Sequence, residues 1–118
     1  MKFLKSSYTL ENLLTPQFAQ SYLYADLLRA EIVFSEKEYK ETEMFLRIPS
    51  QEELYPYNRA MFDFLNYMEI DVPRGCRAKS YLREREMLGD FYSFWQEGSK
   101  AALLEWLQEN DISLSPVA

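Results

Sequence analysis

The sequence predicts an all-α domain, and three observations carry that prediction. The stretch Pro16 to Phe34, PQFAQSYLYADLLRAEIVF, has no internal Gly or Pro and bears apolar residues on two sides of a helical projection. Three glycines and five prolines leave little material for tight hairpins. Two later stretches, 57–69 and 76–97, repeat large apolar residues at helical spacing. A length of 118 residues suits one domain with one core. The expected architecture is a single-domain bundle (1–118) of four main helices, with a short fifth near the N-terminus, around a central helix 16–34.

In chain order, Met1 to Ser7 alternates weakly and reads as a flexible arm. Thr9 to Leu14 offers one helical turn leading to Thr15, a cap, and Pro16, which suits the first helical position. In the central helix Phe18, Tyr22, Ala25, Leu28 and Ile32 form one stripe. Ala19, Leu23, Leu27, Ala30 and Phe34 form a second, nearly opposite. Such a helix needs cover on both sides, either from neighbouring helices or, on its second face, from another copy of the chain.

Ser35 stands three residues before Glu38, a capping-box signature that predicts a helix over 36–47. Pairs Glu36/Lys40, Lys37/Glu41 and Glu43/Arg47 at i,i+4 support it. A second Ser-x-x-Glu, Ser50 to Glu53, predicts a turn of helix. Pro56 opens the next long one, with Tyr57, Ala60, Met61, Phe64, Leu65, Tyr67 and Met68 inward. Phe62 and Ile70 fall outside that face. Asp71–Val72–Pro73–Arg74–Gly75 is turn chemistry. The last long helix runs from about Cys76 or Ala78 to Glu97, with Tyr81, Leu88, Phe91 and Trp95 as its seam. Gly98 is expected to end it and Ser99 to cap another over 100–110, leaving 111–118 as a tail.

Composition bounds the function. Hydrophobic residues at 47% exclude disorder for most of the length. A net charge of −6 disfavours non-specific attraction to nucleic acid or anionic membrane. Cys76 is the lone cysteine, so no intramolecular disulfide framework exists. No apolar run reaches membrane-spanning length, and the opening MKFLK lacks a signal-peptide core. The expected setting is the cytoplasm, of the parent cell or of a host, with no membrane.

The chain has no histidine, which removes Ser–His and Cys–His nucleophiles and His-ligated metals. No Gly-rich phosphate loop is present. No catalytic residue, metal ligand or cofactor is assigned. Glu38/Glu41 and Glu86/Asp90 are the carboxylate pairs available to hold Mg²⁺ between helices, although the second is spaced one residue too far and the first lies among salt-bridging lysines. A carboxylate–Mg hydrolase is therefore the third reading.

The second reading is a nucleic-acid or phosphate binder. Arg74, Arg77, Lys79, Arg83 and Arg85 crowd five of the 13 basic residues into twelve positions, with Tyr81 among them. Glu84 falls within the seam, where a buried carboxylate must find a partner such as Arg77 or Arg59, or stay protonated. The leading reading is a small acidic non-enzymatic module that binds another protein (an adaptor, inhibitor, immunity or chaperone-like factor) and acts by occlusion. Its expected contact residues are Tyr55, Tyr57, Phe62, Asn66 and Ile70.

Overall fold

Tyr22–Asp26, YLYAD, alternates its side chains about a strand as cleanly as about a helix. The computed structural model, which describes residues 2–6, 14 and 22–116, makes it a strand. The chain is mixed α/β, and the all-α bundle is corrected. Strands β1 (Lys2–Ser6), β2 (Tyr22–Asp26), β3 (Glu31–Ser35) and β4 (Phe45–Arg47) precede helices α1 (Gln51–Leu54), α2 (Tyr57–Tyr67), α3 (Ala78–Glu84) and α4 (Leu88–Glu109). Strand β5 (Ile112–Pro116) ends the described chain.

Residues 22–34, the described part of the expected central helix, form an antiparallel hairpin that ends at Ser35. Tyr24 pairs with Val33 and Ala25 with Ile32. Aromatic and β-branched residues suit this pleated, half-buried surface. The turn between the strands lacks Gly, Pro and Asn, so no breaker announces it. Asp26 supplies the turn chemistry instead: its Oδ1 accepts the Arg29 N–H at 3.1 Å, and Ala30 takes φ 54°. Leu28, assigned to an inner stripe, sits at the tip and is 79% exposed. No second helical face therefore exists over 22–35 to join two copies. The turn expected over 9–14 and the cap and start of the expected helix at 15 and 16–21 lie outside the described residues, Leu14 excepted, which is buried.

Strand β4 joins the other side of β2, giving the order β3-β2-β4. The helix expected over 36–47 is instead an irregular strap followed by that strand. Ser35 shows why: its hydroxyl accepts the Lys37 N–H at 3.0 Å and donates to the Lys37 carbonyl at 2.8 Å, closing a local turn and not a helix. The second Ser-x-x-Glu is a true capping box. Ser50 accepts from the Glu53 N–H, and Glu53 reaches back to the Ser50 N–H. Strand β1 pairs in parallel with β5, so the expected arm and the expected tail are both strands, Lys2 opposite Ile112.

The helical half follows its periodicity more closely. Ala60, Met61 and Phe64 of α2 are buried as expected. The turn at 73–76 forms, with Gly75 at φ 84° and the Cys76 N–H donating to the Pro73 carbonyl at 3.1 Å. The seam helix breaks, however, after Glu84. Glu86 takes φ 57°, and the Met87 N–H returns to the Leu82 carbonyl at 2.9 Å, a Schellman closure with a non-glycine at its left-handed position.

Helix α4 then runs straight through Gly98 and Ser99. A Cβ on Gly98 would lie 2.5 Å from Cε2 of the Tyr55 ring, so this glycine serves close packing and not termination. Ser99 is buried within the helix, its hydroxyl donating to the Trp95 carbonyl at 2.7 Å.

The apolar side chains gather into two clusters where one core was expected. Leu23, Ala25, Leu27, Ile48 and Ile112 pack on Leu103 and Leu107, in the C-terminal half of α4. Ala60, Met61, Phe64 and Leu82 pack on Phe91, in its N-terminal half. Helix α4, about 33 Å long at 1.5 Å per residue, is the wall common to both. The molecule is accordingly elongated, 52 × 26 × 24 Å.

Candidate interaction surfaces

Three of the five expected contact residues turn inward. The Tyr55 hydroxyl donates to Asp63 at 2.5 Å, and its backbone carbonyl accepts the Trp95 indole N–H at 2.7 Å. Burial, reinforced by the Asp63 carboxylate, pushes that phenol up to about 12. Tyr57 stands edge-on to Phe91 and Trp95, both at 5.3 Å between ring centres. Its buried hydroxyl has no hydrogen-bond partner among the described residues, and burial raises its pKa. Ile70 packs on the second core, where its N–H closes the end of α2 onto the Leu65 carbonyl at 2.9 Å. These three partly buried side chains help build the helical half.

Phe62 and Asn66 remain outside. Phe62 is 63% exposed, on the side of α2 facing away from Ala60 and Phe64, and Asn66 lies one turn along the same side. Tyr67 is 73% exposed on the shoulder of the helix, its ring 5.8 Å from that of Phe94. Met68 comes next, also exposed.

The basic residues Arg74, Arg77, Lys79, Arg83 and Arg85 are all exposed, and none enters an ion pair among the described residues. The Arg85 guanidinium lies 3.5 Å over the Tyr81 ring, a cation–π contact that holds it flat. Glu84, expected to be buried in the seam, is exposed because the chain turns away just beyond it. Cys76 is an exposed free thiol.

The Mg²⁺ arrangement is not assembled. Glu38 and Glu41 lie on the strap, and Glu86 and Asp90 straddle the break between α3 and α4. Among the described residues no three Asp, Glu, Cys or His converge as a metal site.

Two surface grooves were not foreseen. One, of about 450 Å³, opens on the outer sheet face between Val33, Tyr39 and Phe45, with Asp26, Arg29 and Lys40 at its margin. The strap crosses this face and is pinned by Tyr24. That hydroxyl accepts the Tyr39 N–H at 2.7 Å and donates to its carbonyl at 3.4 Å, while the ring stacks on Phe45 at 4.7 Å. Nothing in the sequence pattern signals this groove, since it depends on the strap.

The other groove, of about 430 Å³, lies between α1 and the last turns of α4. Pro49, Leu54 and Trp106 floor it, and Glu53, Glu105 and Glu109 rim it. One signal for it was available: Glu105 and Glu109 are i,i+4 like charges with no basic residue in the last turn of α4.

Arg47 joins this groove to the sheet. Its guanidinium donates to both Glu53 carboxylate oxygens, at 2.7 and 2.5 Å, and its backbone N–H donates to Glu41 at 2.8 Å. The Arg47 hydrogen bonds, with help from the Ser50 N–H, hold Glu53 down to about 2 against the opposing effect of burial. Arg47 is raised in turn, chiefly by the Glu53 hydrogen bond.

Compared with known proteins, the chain matches no protein-family model, no curated protein and no solved structure. Among the described residues no helix is long and apolar enough to cross a membrane.

Proposed function

We propose that this chain is a small non-catalytic binding module that works by occluding another protein, in the cytoplasm of its own cell or of a host. The observation that carries the reading is Phe62, a large aromatic held outward on a helix whose opposite face buries Ala60, Met61 and Phe64 in the core. An exposed aromatic on a preorganised element is a typical hot-spot anchor, because little side-chain entropy is lost when it docks. Asn66 and Tyr67 flank it with polar and amphipathic contacts. The absence of histidine from the whole chain leaves few nucleophile–base pairs from which an enzyme could be built.

The test is capture from the native cell with the intact chain, followed by mass spectrometry, with Phe62→Ala in parallel. The variant keeps the parent helical spectrum and loses the captured partner. Undiminished capture by a normally folded Phe62→Ala would remove the anchor and this reading with it.

A second reading is favoured by the five exposed cations at 74–85, of which Arg74, Arg77, Lys79 and Arg83 enter no ion pair among the described residues and could meet phosphates. Binding of single-stranded oligonucleotides that weakens steeply with salt, and is lost in Arg77→Ala/Arg83→Ala, would replace the first reading with this one.

A further inference from the structure

We propose that the groove between α1 and the end of α4 seats a basic segment of a partner protein, with an apolar side chain on the groove floor and Lys or Arg at the rim. This site lies at the sheet end of α4, away from Phe62, and does not rest on the reading above. Leu54, Pro49 and Trp106 offer an open apolar floor within about 430 Å³. Trp106 is half-buried, and its indole N–H has no partner among the described residues. A flat indole beside carboxylates accepts an alkylammonium or guanidinium through its face.

The charges around that floor are all of one sign once Glu53 is matched by Arg47. Glu105 and Glu109 are neighbours one turn apart, and neither enters an ion pair among the described residues. They stand at the C-terminus of a 22-residue helix, where the backbone carbonyls already concentrate negative charge. Both features work against the helix in the free protein, and a docked cation reverses both.

Among the described residues no cation pairs with Glu105 or Glu109: Arg47 is matched to Glu53 and Lys100 to Glu97. Residues 7–21 contain no Lys or Arg, and the basic stretch 74–85 belongs to the other end of α4. An acidic or neutral occupant would leave the rim unmatched, so charge complementarity selects a basic one.

Calorimetric titration of the intact protein with a short synthetic peptide, a central Leu-Phe pair flanked by lysines, tests the assignment. Glu105→Gln/Glu109→Gln weakens binding about tenfold or more, while its melting temperature stays at or above that of the parent because a like-charge pair is gone. Replacing Leu-Phe by Ser-Ser in the peptide weakens binding to a similar degree. The equal-charge control Glu69→Gln/Asp71→Asn, at the far end of the molecule, leaves the affinity within about twofold.

Equal losses from the two charge pairs would reduce the effect to the net field of an acidic protein and overturn the site. Unchanged affinity in Glu105→Gln/Glu109→Gln would do the same. Salt-sensitive self-association in the ultracentrifuge, abolished by that double variant, would overturn the partner assignment in favour of a second copy.

Discussion

Removing one oxygen from the core of the sheet tests how the strap is held. Tyr24 is fully buried, and its hydroxyl is the only described tie between the sheet and the backbone of Tyr39, 15 positions away. Tyr24→Phe keeps the ring, so the stack on Phe45 at 4.7 Å and the edge contact with Tyr39 at 6.0 Å survive and no cavity opens. The 2.7 Å bond from the Tyr39 N–H is a good one, and the 3.4 Å bond to its carbonyl is weak. Their net loss is worth about 1 kcal/mol, and a Tyr39 N–H left unmatched against the sheet adds up to about 1 more. The expected destabilisation is about 1–2 kcal/mol, or roughly 4 °C in melting temperature for each kcal/mol. Because the strap is exposed, its release relieves the unmatched donor. Exchange of the Tyr39 amide should therefore quicken about tenfold for each 1.4 kcal/mol lost, while the amides of α4 track only the global change. Melting and Tyr39 exchange both unchanged in the variant would refute the tie. A loss of about 3–5 kcal/mol, the scale of an aromatic cavity, would show that the ring had moved and that the two effects had not been separated.

Tyr57→Phe is the opposite case: its buried hydroxyl has no partner among the described residues, so the variant should melt higher, by about 1 kcal/mol of stability, and a lower melting temperature would contradict that geometry. Ala30 sits at φ 54°, and Ala30→Gly should stabilise by about 0.5–1 kcal/mol in chemical denaturation, relief of left-handed strain exceeding the added entropy of the unfolded chain. Glu53, with its folded pKa lowered to about 2 from 4.5, contributes stability that is complete above the unfolded value and lost as pH falls through the folded one. Its side chain is 46% exposed, so the advantage over Glu53→Gln should be only about 1 kcal/mol at neutral pH, shrinking between pH 4.5 and about 2. Gly98→Ala gains about 1 kcal/mol of helix propensity yet drives a methyl into the Tyr55 ring, for a net loss of about 1–2 kcal/mol. In a Tyr55→Ala background the same change should stabilise, and an unchanged sign in that double-mutant cycle would show that the ring is not what excludes the methyl.

The helical half was more legible because periodicity and burial agree over most of it, although Tyr67 and Met68, expected inward, are exposed. Pro56 opens α2, Ala60, Met61 and Phe64 face the core, and Pro73 to Gly75 turns the chain. The sheet half was not, because its turns hide their chemistry. The hairpin turns on Asp26 and a left-handed Ala30 with no glycine, so the apolar residues on either side read as one continuous helix. Ser35 and Ser50 carry the same Ser-x-x-Glu signature, yet only Ser50 caps a helix. The difference lies in the residues downstream of each serine. Gln51–Leu54 can dock Leu54 on the first core, whereas strap residues 36–41 find a place across the aromatic sheet face. Tyr55 and Tyr57, named among the expected contact residues although Tyr57 also belongs to the inward face of its helix, depend on the same tertiary context. Both are drawn inward by Trp95 and Phe91, about 40 and 34 positions away.

Helix α4 gives these surfaces their relation to each other. Its two halves serve different cores, with Phe91 and Leu103 separated by about 18 Å along the axis. A contact at Phe62 bears on the first half through α2, and a contact at Trp106 bears on the second. Among the described residues no buried side chain is shared between the two clusters, so what they have in common is the body of α4 itself. What the ends do share is the helix dipole, which is directed along α4 and favours cations at Glu105 and Glu109. Were both proposed contacts made, they would act as two independent grips, on one partner or on two. The stiffness of α4, and not a conformational switch, then sets the distance between them.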